Sequence, residues 1–122
     1  MKLRILSFVL LLALTLSLGF ASLSHAQDRA QPSRSFYVAG EVIRSGEFEW
    51  KEGLTMRQAI SMAEGTTFRA ATRYSVIFRK VEGIKREEIK VDIGAVLNGK
   101  ANDVAIEPDD VIVVPNNRRY DN

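Results

Sequence analysis

One strand-like run and one run of alternating apolar and polar residues predict a pair of β-strands in the first half of the chain. Residues 36–43 form the first run, and residues 47–51 alternate with a period of two. Gly46 lies between the runs and favours a turn, so the segment is predicted to be a β-hairpin. Phe48 and Trp50 share one face of the second run. Trp50 could stack on a sugar, but clean alternation is more typical of a strand with one face in the core.

A helix pattern follows the hairpin. Thr55 is a typical helix N-cap, and Gln58 three residues later completes a capping-box pattern. Gly65 is well placed to end the helix in a left-handed conformation. The apolar residues of this segment share the spacing of one helix face: Met56, Ala59, Ile60 and Ala63. The single stripe predicts a short helix that lies across a sheet.

The second half of the chain adds three predicted strands and one helical turn. Residues 74–81 form a strand, residues 85–93 form a second strand or half-strand, and residues 95–99 form a helical turn that a glycine ends. Residues 111–114 are apolar throughout, which is typical of a strand buried on both faces. This order of elements predicts an α+β fold of the β-grasp type. In that fold one main helix packs on a mixed sheet, and the last strand lies at the centre.

The first residues have the layout of a secretory signal peptide. Lys2 and Arg4 precede an apolar segment at residues 5–18, and Ser24 and Ala26 are the small residues that a signal peptidase reads. We therefore predict cleavage after Ala26. The alternative is an uncleaved membrane anchor, although the apolar segment is short for a spanning helix.

Cleavage would change the charge of the chain. Residues 1–26 would be the signal peptide, and residues 27–35 would be a flexible polar leader. Two basic residues and no acid are removed, which leaves 15 basic and 15 acidic side chains. This balance gives no electrostatic argument for a nucleic-acid partner. We expect a periplasmic or secreted protein that does not span a membrane after cleavage.

The composition argues against an enzyme. The chain has no cysteine, and its one histidine, His25, lies in the predicted signal peptide. The cleaved chain would therefore have no thiol nucleophile, no histidine for a catalytic triad and none of the usual zinc or copper ligands. Carboxylate pairs remain, but the acids lie on predicted strand surfaces and turns, where solvated charge is the ordinary explanation. We expect no catalytic site, no metal and no cofactor.

Three groups of residues have the order and spacing of one known family. The hairpin contributes Val38, Gly40, Glu41, Val42, Arg44 and Gly46. The middle of the chain contributes residues 59–65, residues 76–79, Asp92 and Ile93. The closing phrase contributes Asp103, Pro108, Asp110, Val111, Ile112 and Pro115. On these residues the chain resembles the soluble-ligand-binding β-grasp (SLBB) domains. The resemblance implies an SLBB-like β-grasp domain at residues 36–115, followed by a polar tail at residues 116–122.

Three positions depart from the usual sequence of that family. Ser45 stands where the family usually has a proline, which makes the hairpin turn less rigid. Glu64 interrupts a helix corner that is commonly Ala-Gly-Gly, and Asp109 replaces a glycine in the closing turn. We expect the fold to be retained, while the ligand contacts of the family do not transfer directly.

SLBB domains occur in outer-membrane polysaccharide export proteins of bacteria, so the resemblance implies a function in exopolysaccharide or capsule export. We expect a non-catalytic binding or accessory module whose partner is a polysaccharide or a polysaccharide-export protein. Channels of this family add an export domain and a spanning helix, and so few residues flank this domain that we expect a free-standing module. Sister modules stack in rings, which suggests a homo-oligomer. The alternative is a structural protein–protein assembly module with no glycan ligand, which pairs through a sheet edge.

Four arginines are predicted to contact a ligand: Arg44, Arg69, Arg73 and Arg79. Guanidinium groups offer several fixed donors that suit sugar hydroxyls and the carboxylate or pyruvyl groups of acidic glycans. The alternative interpretation is surface solubility, with Arg79 paired to an acid such as Asp92 or Glu41.

Overall fold

Five strands and two helices make up residues 34–120, the part of the chain that the computed structural model describes. In chain order they are β1 (Ser35–Gly40), β2 (Gly46–Glu49), α1 (Met56–Met62), β3 (Ser75–Lys80), β4 (Arg86–Val91), α2 (Ile93–Leu97) and β5 (Val111–Val114). Single 3-10 turns occur at Thr72–Tyr74 and Asn117–Arg119. This order confirms the predicted succession of elements. The predicted signal peptide at residues 1–26 lies outside the described residues.

The five strands form one mixed sheet in the order β2-β1-β5-β3-β4. β1 pairs with β2, and β3 pairs with both β4 and β5, in antiparallel fashion, whereas the β1–β5 pair is parallel. The last strand therefore lies at the centre, as predicted, and it joins two hairpins. A mixed sheet with one main helix and a short second helix is an α+β, β-grasp-like arrangement, which confirms the predicted fold class.

The apolar core lies between the two helices and one face of the sheet. The strands contribute alternate residues to it: Phe36, Val38, Ile77, Ile112 and Val114. The helical segments contribute Met56, Ala59, Ile60, Ala63, Ile93 and Val96. Burying a side chain such as that of Ile60 contributes about 1.5–3 kcal/mol to stability. The apolar stripe predicted for the first helix is confirmed.

Trp50 also belongs to this core. Its side chain is half-buried and packs against the core residues, and its indole Nε1 donates to the carbonyl of Ile106 at 2.7 Å. The interpretation of Trp50 as a core residue is therefore confirmed.

β5 differs from the prediction because only one of its faces is fully buried. Ile112 and Val114 are buried, whereas Val111 and Val113 are half-exposed. The all-apolar run predicted burial on both faces, but the core residues lie against one side of the strand only. The opposite side, which we call the outer face of the sheet, carries Tyr37, Val76, Phe78, Val111 and Val113.

α1 begins with the predicted capping box. The hydroxyl of Thr55 accepts from the backbone N–H of Gln58 at 3.5 Å, and the side chain of Gln58 accepts from the backbone N–H of Thr55 at 3.1 Å. After the helix, both Glu64 (φ 63°) and Gly65 (φ 94°) adopt left-handed conformations. The sequence predicted one such residue, and the second is Glu64, whose side chain makes this conformation unfavourable.

β1 ends where the chain passes very close to β5. A Cβ added at Gly40 would lie 2.0 Å from the carbonyl oxygen of Val114, and Gly40 has a φ of 94°. Only glycine fits this close approach. The next residue, Glu41, donates its backbone N–H to the same carbonyl at 2.8 Å, which fixes the direction in which the chain leaves the sheet.

Candidate functional site

Arg79 and Asp110 form a buried ion pair. The Nε of Arg79 donates to Oδ1 of Asp110 at 3.1 Å, and its Nη2 donates to Oδ2 at 2.9 Å. The side chain of Asp110 is fully buried, and that of Arg79 is 18% exposed. The hydrogen bond to Asp110 raises the pKa of the Arg79 guanidinium above its ordinary value. The partner of Arg79 is therefore Asp110 and not Asp92 or Glu41, the acids that the sequence suggested.

The same guanidinium holds the segment before β5, residues 103–110, which we call the closing turn. Nη2 of Arg79 also donates to the carbonyl of Ala105 at 3.0 Å, and Nη1 lies 3.3 Å from Oε1 of Glu107. The backbone N–H of Glu107 donates to Oδ2 of Asp110 at 2.8 Å. Arg79 therefore uses its donors to fix the closing turn against β3.

Glu41 joins three separate segments through its carboxylate. The hydroxyl of Thr67 donates to Oε2 at 2.7 Å, and the side-chain amide of Asn116 donates to Oε1 at 2.7 Å. These two hydrogen bonds, with a smaller contribution from the positive charges of Arg69 and Arg118, lower the pKa of Glu41 below its ordinary value. The carboxylate is therefore ionised at neutral pH and ties the end of β1 to the loop before β3 and to the residues after β5.

Backbone hydrogen bonds fasten that loop on both sides. We call residues 66–74 the arginine loop. The N–H of Thr67 donates to the carbonyl of Glu41 at 3.0 Å, and on the other side the N–H of Asn117 donates to the carbonyl of Arg69 at 2.8 Å. The arginine loop is therefore anchored to the ends of two neighbouring strands, β1 and β5.

The arginine loop presents aromatic and cationic groups to solvent. Phe68 is 88% exposed, and the guanidinium carbon of Arg69 lies 5.3 Å from the centre of its ring. Arg73 is also exposed, and its Nε lies 3.9 Å from Oδ2 of Asp92. A surface pair at this distance contributes little to stability. The loop thus combines a fixed backbone with side chains that remain accessible.

The structure separates the four predicted arginines into two groups. Arg69 and Arg73 share the arginine loop, and Arg44 lies at the helix corner, where its backbone N–H donates to the residue that follows α1. The side chains of these three are exposed. Arg79 lies inside the domain, and the sequence contains a signal for this, because Arg79 has the same period-two phase as the buried Ile77.

Sequence reasoning missed a cleft of about 570 Å³ on the outer face of the sheet. We call it the outer-face cleft, and its lining residues are Tyr37, Lys80, Gly83, Ile84, Arg86, Asp109 and Val111. The period-two phase of Lys80 and Arg86 is visible in the sequence. Their proximity to Val111 follows from the pairing of β3 with β5, and their proximity to Tyr37 follows from the further pairing of β5 with β1; no local pattern predicts either.

The chain belongs to the SLBB domain family, whose family model matches residues 34–114, about two-thirds of the sequence. The matched segment contains all the strands and helices described above. SLBB domains are binding modules that are found in polysaccharide export proteins. A search of curated proteins found no match to this chain. Neither helix of residues 34–120 has the length and apolar character that a membrane crossing requires.

Proposed function

We propose that this protein is an exported, non-catalytic binding module that acts in the biosynthesis and export of an exopolysaccharide or capsule, in the periplasm or outside the cell. Membership of the SLBB family supports the link to polysaccharide export. The signal-peptide pattern of residues 1–26 supports export of the chain itself. The observation that carries the proposal is the arginine loop, in which exposed binding groups stand on an anchored backbone.

The chemistry of the arginine loop suits a polysaccharide or the export protein that carries it. Phe68 offers an aromatic face, and Arg69 beside it offers a planar group of N–H donors. An aromatic face contacts the apolar side of a sugar ring, while a guanidinium pairs with a carboxylate or with hydroxyls. Because the loop backbone is already fixed, less conformational entropy is lost when a partner binds.

Three of the four predicted arginines are assigned to this binding surface. Arg69 and Arg73 lie on the arginine loop, and Arg44 lies at the adjoining helix corner. Arg79 belonged to the same prediction, but its hydrogen bonds to Asp110 support a structural role, in which Arg79 fixes the closing turn before β5.

The alternative of assembly through a sheet edge has less support. β4 forms one edge of the sheet, and its exposed residues are charged: Arg86, Glu87, Glu88 and Lys90. Charged side chains on an edge strand oppose pairing with a further strand. The other edge, β2, is only four residues long. Both edges therefore offer poor templates for another β-grasp domain.

A complementation experiment in the native host tests the proposed function. Deletion of the gene is expected to reduce the amount of surface or secreted polysaccharide, and the wild-type gene is expected to restore it. The double variant R69A/R73A should fail to restore export. Its free energy of unfolding should stay within about 0.5 kcal/mol of the wild-type value, because both side chains are exposed.

The double variant K51A/K100A is the matched control, since it removes two exposed cations outside the arginine loop. It should restore export fully. If R69A/R73A restores export as well as this control does, the arginine loop is not the binding surface. If deletion of the gene leaves polysaccharide export unchanged, the proposed function is wrong.

A further inference from the structure

Two cations face each other on the outer face of the sheet without an acidic partner. The antiparallel register of β3 and β4 places Lys80 directly opposite Arg86. Like charges at directly opposed positions destabilise a strand pair. Neither side chain takes part in any of the ion pairs within residues 34–120. The fold therefore keeps an unfavourable pair of positive charges at this point.

The opposed cations lie in a cleft that has the features of a small-ligand site. Tyr37, 40% exposed, and Val111 come from two neighbouring strands, β1 and β5. The turn between β3 and β4 adds Gly83 and Ile84, and the side chain of Ile84 is fully exposed. The volume of about 570 Å³ is within the range of ligand pockets.

Asp109 supplies the acidic group of the cleft. It has a left-handed φ of 66° in the closing turn, which the buried pair of Arg79 and Asp110 holds against β3. Its carboxylate lies more than 4.0 Å from the side-chain nitrogens of Lys80 and Arg86, since no such ion pair occurs within residues 34–120. The cleft thus holds two cations, one carboxylate and an aromatic ring at separate positions.

We propose that the outer-face cleft binds a uronic acid residue of an exported polysaccharide, an inference that rests on the proposed function. The sugar carboxylate pairs with Lys80 and Arg86, and the planar guanidinium of Arg86 suits a bidentate contact. The ring of Tyr37 contacts the apolar face of the sugar. Asp109 accepts hydrogen bonds from sugar hydroxyls, and its charge disfavours a second negative charge within the cleft itself.

Calorimetric titration of the full chain tests this site. The probe is an oligosaccharide of galacturonic acid, and the neutral comparison is a galactose oligosaccharide of the same length and linkage. In the double variant K80Q/R86Q the affinity for the acidic probe should fall about tenfold or more, because charge-assisted hydrogen bonds are lost. The variant should be at least as stable as the wild type, because it removes a repulsive pair.

The control variant K51Q/K90Q removes the same number of charges outside the cleft, and Lys90 lies further along β4, opposite Val76. It should bind the acidic probe with an affinity close to that of the wild type. The cleft assignment is overturned if K80Q/R86Q binds as tightly as this control, or if the neutral probe binds as tightly as the acidic one. It is also overturned if inorganic phosphate displaces the acidic probe at an equal concentration, which would indicate a site for anions in general.

The two proposals fail separately. If the wild-type chain does not bind the galacturonic acid probe, the cleft assignment is wrong. In that case the proposed function still stands where gene deletion abolishes polysaccharide export and R69A/R73A fails to restore it. If deletion leaves export unchanged, the proposed function falls, whatever the cleft binds.

Discussion

The closing turn and the arginine loop both bring arginines near carboxylates, with opposite results. In the closing turn, Arg79 pairs with the buried Asp110, and its N–H donors form hydrogen bonds inside the domain. In the arginine loop, neutral donors satisfy the carboxylate of Glu41. The guanidinium of Arg69 therefore remains exposed beside Phe68. When neutral groups satisfy the acid, the cation stays available for a partner.

Because one ion pair is buried and the other is exposed, the two regions also differ in the free energy that is lost when the pair is broken. Breaking a buried pair leaves a charge without solvent or partner, which is strongly destabilising. An exposed pair such as Arg73 with Asp92 is screened by water, and its loss costs little. The closing turn is therefore expected to govern stability, and the arginine loop is expected to govern binding.

The largest expected effect comes from Arg79→Met. The change leaves Asp110 buried without its cation, so the free energy of unfolding should fall by about 3–5 kcal/mol. Urea denaturation at neutral pH measures this loss. The matched change Arg73→Met on the arginine loop should cost less than about 0.5 kcal/mol. Equal losses from the two changes would show that the ion pairs of the closing turn and of the arginine loop contribute equally to stability.

A smaller and pH-dependent effect is expected from Glu41→Gln. The lowered pKa of Glu41 means that its ionised form stabilises the fold at pH values above the unfolded-state pKa of about 4.3. This contribution is lost as the pH falls through the lower pKa of the folded state. The wild type should therefore be more stable than the variant at neutral pH, and the difference should shrink on acidification.

Urea denaturation at a series of pH values measures that difference. Glu49→Gln, at an exposed position of β2, is the control and should follow the wild type at each pH. A Glu41→Gln difference that stays constant down to strongly acidic pH would show that the carboxylate does not anchor the arginine loop.

The smallest expected effect is a gain in stability from Glu64→Gly. A left-handed conformation costs a residue with a side chain about 1–2 kcal/mol. Glycine recovers this cost and loses about 0.5–1 kcal/mol through the greater freedom of the unfolded chain. We expect a net gain of up to about 1.5 kcal/mol in thermal or urea unfolding. Asp109→Gly in the closing turn should gain less, since aspartate tolerates this conformation better. A loss of stability in Glu64→Gly would contradict the strain assigned to the helix corner.

Most of the fold was predictable because its signals are local. The capping box at Thr55, the apolar stripe through Ile60 and the alternation around Phe48 each depend on residues within a few positions of one another. The central place of the last strand followed from the β-grasp order of elements, and its unbroken apolar run predicted burial on both faces. Its half-exposed outer side, at Val111 and Val113, was missed because burial of that side depends on what packs there.

The candidate sites were less predictable because they depend on contacts between distant segments. Asp110 meets Arg79 only because β5 pairs with β3, and the sequence offered Asp92 and Glu41 as equally suitable acids. The departures at Glu64 and Asp109, by contrast, were visible in the sequence. The structure shows that both residues adopt the conformation that glycine favours.

The parallel pairing of β1 with β5 also has a consequence for the order in which the domain folds. Tyr37 pairs with Val111, so the first and last strands lie side by side although nearly the whole domain separates them in the sequence. Until β5 is present, no strand joins the β1–β2 hairpin to the β3–β4 hairpin. Contacts of such long sequence separation form slowly. A chain that crosses a membrane amino end first would therefore stay unfolded until its final strand has emerged.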